Sequence, residues 1–398
     1  MGIVFDLGDA GERPDAEAPD GATPDAGRPD AGGFPVTCRL EGEPLKLVSD
    51  IVDRDSRRAD VLATAAGFAV AWTDATTAIG ETYTYFLPLG AEAGTKHRVT
   101  EDVFRSREAA IGVLGSGLAT VWIDNSTGTF ELWSRPLGGD AAPTGAAQRL
   151  TNNALREDGP RLAALDGGSL LAAWVESDGV GGMAAVRVGV VGPTGALAGT
   201  ATTVPGVSAV PAALALSPLG AGAALAWVDA GQVKLQPLGA TGAVSGAART
   251  INTEANASGA VALATRGAGG AVVFGARIGG ARDEVRVRMV DAAGAPDGGE
   301  RIVTSPPERG IDPGVAPYAT GFAVAYRALP EAGRAAPVVR LVLLDGLGNR
   351  VVATDLAETT ADGGPVQVAV AADGRVAVTW ATRASDATSV NLGVAVCE

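Results

Sequence analysis

From residue 42 onward, apolar and polar positions follow one recurring pattern: a short strand of small residues, a glycine turn, then an apolar strand that ends in an aromatic. The aromatic-ended stretches are "GFAVAW" to Trp72, "GLATVW" to Trp122, "SLLAAW" to Trp174, "GAALAW" to Trp227, "GGAVVF" to Phe274, "GFAVAY" to Tyr326 and "RVAVTW" to Trp380. Their spacings are 50, 52, 53, 47, 52 and 54 residues, a period that fits a four-stranded propeller blade and exceeds the short solenoid repeats. Inside the first unit, "DVLATA", "FAVAW", "TYTYFLPL" and "KHRVT" read as four strands separated by turn residues, and helical periodicity is absent. Small residues dominate the first strand of each unit, as expected where strands converge on a narrow central channel. The aromatics are expected to pack between blades.

The seventh unit supplies only three strands, "VQVAVAA", "RVAVTW" and "SVNLGVAVC". The segment "PLKLVSD" ahead of the first unit has the form of an outer strand, so the pattern predicts an all-β, seven-bladed propeller over 38–398 whose N-terminal strand closes the last blade. Cys38 and Cys397 fall where that closure lacks a connecting turn, and they are expected to form a disulfide. Chain-entropy scaling for so long a loop gives about 5 kcal/mol or slightly more as an upper figure. Such a bond belongs to an oxidising compartment, so the expected location is extracytoplasmic, secreted or tethered to an outer surface.

Residues 1–37 change this picture. Pro-Asp recurs at 14, 19, 24 and 29, and the first 33 residues carry 8 acids against 2 arginines, a composition that cannot bury a core and is expected to form a disordered spacer. No basic-then-apolar leader is visible at the start, so an exported form is expected to begin after a removed signal. The net charge of −14, with only three lysines, argues against nucleic acid as a partner, and no apolar run has the length of a membrane helix.

The unit "PRLAALDGGSLLAAWVESDGVGGMAAVRVGVVGPTGALAGTATTV" has a Pro opening the first strand, a Gly before the second, Trp followed by an acid, and a Gly turn before the fourth. In these features the chain resembles secreted bacterial seven-bladed propeller repeat proteins, and the tail resembles the Asp-Pro-Ala spacers of bacterial surface lipoproteins. The resemblance implies the fold and no activity. Repeated Gly-His and Trp-Asp pairs, the kelch double glycine and the sialidase Asp-box are all missing.

Candidate chemistry is sparse. His97 is the single histidine and sits in an expected outer strand, so neither a Ser-His-Asp triad nor a histidine zinc site can be assembled without it. "DNSTGTFE" from Asp124 to Glu131 has too few acids for a calcium loop, and "DRDSRRAD" mixes arginines among its acids. No metal and no cofactor are expected. A pair of carboxylates suffices for glycosidic chemistry, but the sequence singles out no pair.

One polar pattern recurs on the loops. Arg54, Arg105, Arg156 and Arg309 precede their aromatics by 18, 17, 18 and 17 residues, and Asp74, Asp124, Glu176 and Asp229 follow theirs by two. Both positions belong to one propeller face, so Arg54, Arg105 and Arg156 with Asp74, Asp124 and Glu176 are the candidate binding residues; loop-bracing ion pairs are the simpler explanation. The expected function is a non-enzymatic, monomeric module, secreted or tethered to a surface, that binds a protein or glycan or serves as a scaffold. The alternative is a carboxylate-based glycan hydrolase or lyase.

Overall fold

A computed structural model describes residues 37–398, apart from 52–57, 75–79, 102–103, 180–183, 209, 212, 268, 281, 331–335 and 385–386. The expected spacer therefore lies, up to residue 36, outside the described residues. The described chain is a seven-bladed β-propeller. Six blades are four-stranded antiparallel sheets in sequence order, spanning 59–98, 106–149, 156–204, 214–250, 257–302 and 309–358. No helix of the described residues is long and apolar enough to cross a membrane.

The seventh blade is composite. Its inner three strands are Gln367–Val370, Val376–Ala384 and Ala387–Cys397, and its outer edge comes from the other end of the chain. That edge is split: Cys38–Leu40 pairs with the end of the third strand and Leu45–Ile51 with its beginning. Cys38 and Cys397 stand directly opposite one another and are joined as the expected disulfide, with Cα atoms 4.0 Å apart. The backbones of Thr37 and Glu398 exchange two further hydrogen bonds, at 3.1 and 2.9 Å.

Each apolar cluster lies between two neighbouring blades. One joins blades 7 and 1 through Val70, Trp72, Ala377 and Leu392; another joins 3 and 4 through Val186, Val188, Leu225 and Trp227. The seven aromatics that define the repeat are 0–3% exposed, which places them in these seams. A single blade has two apolar faces and covers neither alone, so the ring is the unit that folds.

The innermost strands approach closely. A Cβ on Gly314 of blade 6 would lie 2.4 Å from the carbonyl oxygen of Val366 at the start of blade 7, which explains why a glycine stands there. Four inner strands carry a register shift near their first residues: between Arg107 and Ala110, Asp158 and Arg161, Ala257 and Val261, and Ile311 and Gly314. These bulges contain residues at positive φ, namely Glu108 (52°), Gly159 (63°), Gly259 (73°) and Asp312 (55°). A bulge re-aims side chains at the end of a strand, and here it does so at the channel mouth.

Candidate functional site

The inner strands begin on the face that carries the inter-blade connections, and their first residues frame the channel. In blade 1, Arg58 donates to Asp60 at 3.2 Å and to the Gln367 amide oxygen of blade 7 at 3.4 Å. Asp60 accepts the backbone amide of Ile111 in blade 2 at 3.0 Å. A cavity of about 120 Å³ continues inward, with Arg58, Asp60, Arg161 and Gln367 as its polar lining and mostly aliphatic walls.

Blades 2 and 3 add the denser charge. Glu108 occupies a bulge at positive φ, a conformation rarely adopted by a residue with a side chain, and its Oε2 accepts the Gly159 amide at 2.5 Å. Next to it Asp158 is held from two sides, by Arg107 at 2.5 Å and Arg156 at 3.1 Å. The guanidinium carbons of these arginines lie 4.0 and 5.3 Å from the Phe130 ring centre, which orients both. Burial pushes the Glu108 carboxyl above its ordinary range and the Asp158 carboxylate pushes it further, against the opposing pull of Arg107, the Gly159 amide and Arg58. On blade 6, burial likewise raises Asp312, partly offset by Arg327 at 3.8 Å.

A carboxyl biased toward its protonated form beside a carboxylate fixed by two arginines is an acid and a base in one place. Among the described residues, no group of three or more His, Cys, Asp or Glu is arranged to hold a metal ion. His97 lies in the outer strand Thr95–Arg98, opposite Thr84.

Of the residues singled out on the loops that the structure describes, only one belongs to this cluster. Arg54 falls outside the described residues. Arg105 pairs with Asn125 through its backbone, while Asp124 accepts Ser106 Oγ at 2.8 Å and the Ser126 amide at 2.7 Å. Asp74 meets Lys96 at 3.6 Å; Glu176 meets Asn153 at 2.9 Å and Arg187 at 3.7 Å. Arg156 alone reaches the mouth, turning to Asp158 two residues on. The sequence did not single out Asp60, Glu108 and Asp158, which lie two to six residues beyond Arg54, Arg105 and Arg156 along the chain. The signal that marks them is an acid at the start of an inner strand, and without the bulge register it looks like any other surface charge.

No protein-family model and no curated protein sequence matches the chain. Solved structures do match its fold. An α-L-arabinanase from Penicillium chrysogenum, complexed with arabinobiose, aligns over 90% of this chain and 98% of its own at 12% identity and a TM-score of 0.51. An α-L-arabinofuranosidase from Fusarium graminearum, also with arabinobiose, aligns over 89% and 98% at 9% identity and a TM-score of 0.50. At such identities the likeness is one of fold. The expectation of a non-enzymatic binding scaffold is nevertheless corrected here: the two solved propellers that share this fold are glycan-cleaving enzymes, and two acids that the sequence did not single out, Glu108 and Asp158, lie together near the starts of the inner strands of blades 2 and 3. The carboxylate-based alternative is the reading these findings favour.

Proposed function

We propose that this propeller hydrolyses a glycan at the mouth of its central channel, with Glu108 as proton donor and Asp158 as the partner carboxylate. The observation that carries the reading is Glu108 itself: a non-glycine residue held at positive φ on a bulge, its carboxyl pushed toward the neutral form by burial and by Asp158. In glycosidic cleavage one carboxyl protonates the leaving oxygen while a second carboxylate activates water or attacks the sugar. Glu108 keeps Oε1 to deliver the proton while Oε2 holds the Gly159 amide. Asp158, anchored by Arg107 and Arg156, supplies the fixed negative charge. Asp60 and Gln367 are placed to accept and donate hydrogen bonds to sugar hydroxyls deeper in the channel.

The disulfide supports an extracytoplasmic location, where polymeric glycans are met. Because the two solved structures of similar fold hold arabinobiose, arabinan is the first polymer to test, beside other polymeric glycans. The measurement is release of reducing ends by the purified chain. Glu108→Gln is expected to lower the rate by about 10²–10⁴-fold, the usual worth of a general acid, with an unchanged melting temperature. Full activity in that variant, or no cleavage of any polymer by the parent, would overturn the proposal.

A further inference from the structure

Blade 1 holds a lysine of its own inside an aromatic cage. The Lys96 ammonium lies 4.0 Å from the Tyr83 ring centre and 5.2 Å from that of Trp72, with the Asp74 carboxylate at 3.6 Å. The two rings stack with centres 5.9 Å apart. An ammonium between aromatic faces and a carboxylate is the arrangement by which proteins recognise organic cations.

Blade 2 repeats this framework strand for strand. Trp122 stands opposite Trp133 as Trp72 stands opposite Tyr83, and Asp124 follows Trp122 as Asp74 follows Trp72. Trp133 pairs with Arg149 as Tyr83 pairs with Arg98, and each arginine turns to the matching glutamate, Glu131 or Glu81. The position of Lys96, two residues before that arginine, is occupied in blade 2 by Ala147. A cavity of about 250 Å³ opens there, lined by Ala147, Trp122, Trp133, Asp124 and Glu101. Arg135 also borders it, but its guanidinium is tied to the carbonyls of Gly145 and Val99. Among the described residues that line it, the two acids outnumber that one cation.

Among the described residues, the indole nitrogens of Trp122 and Trp133 are buried with no hydrogen-bond partner, as is that of Trp72 in blade 1. In blades 3 to 6 the residue opposite the aromatic is itself a cation: Arg187, Lys234, Arg286 and Arg340. Blade 2 has Trp133 in that place.

We propose that the blade 2 cavity is a receptor for an organic ammonium group supplied by a ligand, in the place where blade 1 supplies Lys96. This site is separate from the channel chemistry and stands whether or not the chain cleaves a glycan. The ammonium can come from an amino sugar or from a lysyl side chain, since both present a primary amine on an aliphatic carbon.

Calorimetric titration of the full chain with n-butylammonium chloride tests it, with n-butanol as the neutral isostere and glucosamine against glucose as the sugar pair. Saturable butylammonium binding in the millimolar range is expected, with butanol at least about tenfold weaker. Trp133→Leu should abolish it. Ala147→Lys should abolish it too, by filling the cage from within, and should raise the melting temperature, which separates occupancy from misfolding. Glucosamine binding more tightly than butylammonium identifies an amino sugar as the source, and the reverse identifies a lysyl group. Glucose binding as well as glucosamine, no saturable binding of either amine, or binding unchanged in Ala147→Lys would overturn the assignment.

Discussion

At the scale of single residues, four equivalent bulges show where the chain departs from its own repeat. Blades 3 and 5 use Gly159 and Gly259 for the left-handed position, the residue that adopts it without strain. Blades 2 and 6 put Glu108 and Asp312 in the same place, where a side chain costs about 1–3 kcal/mol unless neighbours over-determine it. The inner strands leave little tolerance nearby. Gly314→Ala would set a Cβ against the Val366 carbonyl, so blades 6 and 7 must part beside Asp312. Thermal denaturation is expected to show a loss of about 1–3 kcal/mol, the usual cost of overpacking. An unchanged melting point would mean that the inner strands are looser than their spacing implies. The two kinds of residue differed in how legible they were. Trp72 or Trp227 could be read from the chain because burial repeats with the blade. Glu108 could not, because a bulge depends on the pairing register of two strands, which leaves no periodic mark.

At the scale of elements, the seam between blades 2 and 3 encloses carboxyl groups as well as apolar side chains. Glu131 and Glu157 are fully buried, and Asn153 Nδ2 bridges Glu157 at 3.0 Å and Glu176 at 2.9 Å. Burial would raise the Glu131 carboxyl, but hydrogen bonds from Thr151, Asn153, Arg149 and Thr129 outweigh it and hold the group below its ordinary range. Glu157 has the opposite fate: burial, then the Glu131 carboxylate, push it up to about 8 from 4.5. Its folded pKa lies above the unfolded one, so the folded chain binds the extra proton and stability falls as pH rises from about 4.5 to about 8. The loss is on the order of a few kcal/mol, at about 1.4 kcal/mol per unit. Denaturant titrations at intervals across that range should show it in the parent, and Glu157→Gln should flatten the profile. A parent profile already flat there would mean that Glu157 is ionised in the fold. The order of strands within each blade was legible, because turn glycines and alternating apolar positions recur. The electrostatic coupling of Glu157 to Glu131 was not, because it acts between side chains of two blades across a seam, where spacing along the chain carries no information.

At the scale of the whole molecule, the ring has one seam closed by strand exchange between the two ends of the described chain. The sequence foretold this closure, since the last unit lacked an outer strand and an earlier segment had its form. The splitting of that strand into Cys38–Leu40 and Leu45–Ile51 was not foreseen, because it follows from where Glu41 to Pro44 leave the ladder. The disulfide spans a sequence separation of 359 residues. Replacing both cysteines by serine is expected to cost about 2–5 kcal/mol, read as a lower denaturation midpoint with the same cooperativity. If reductant leaves the midpoint where it was, the strand pairing alone carries the closure.

The mutual hydrogen bonds of Thr37 and Glu398 carry a consequence for gene order. With Thr37 and Glu398 adjacent, the described segment is topologically a circle cut inside blade 7, between its third and outer strands, and a connection between two blades is another place to cut. A circular permutant that links Glu398 to Thr37 through a short flexible peptide and opens the chain at Gly206, between blades 3 and 4, is expected to fold to the same ring. Its far-ultraviolet circular dichroism and its melting transition should match the parent's when both carry the disulfide. A permutant that stays unfolded would show that the strand exchange within blade 7 directs assembly, and that the seven seams are interchangeable in shape but not in the order in which they form.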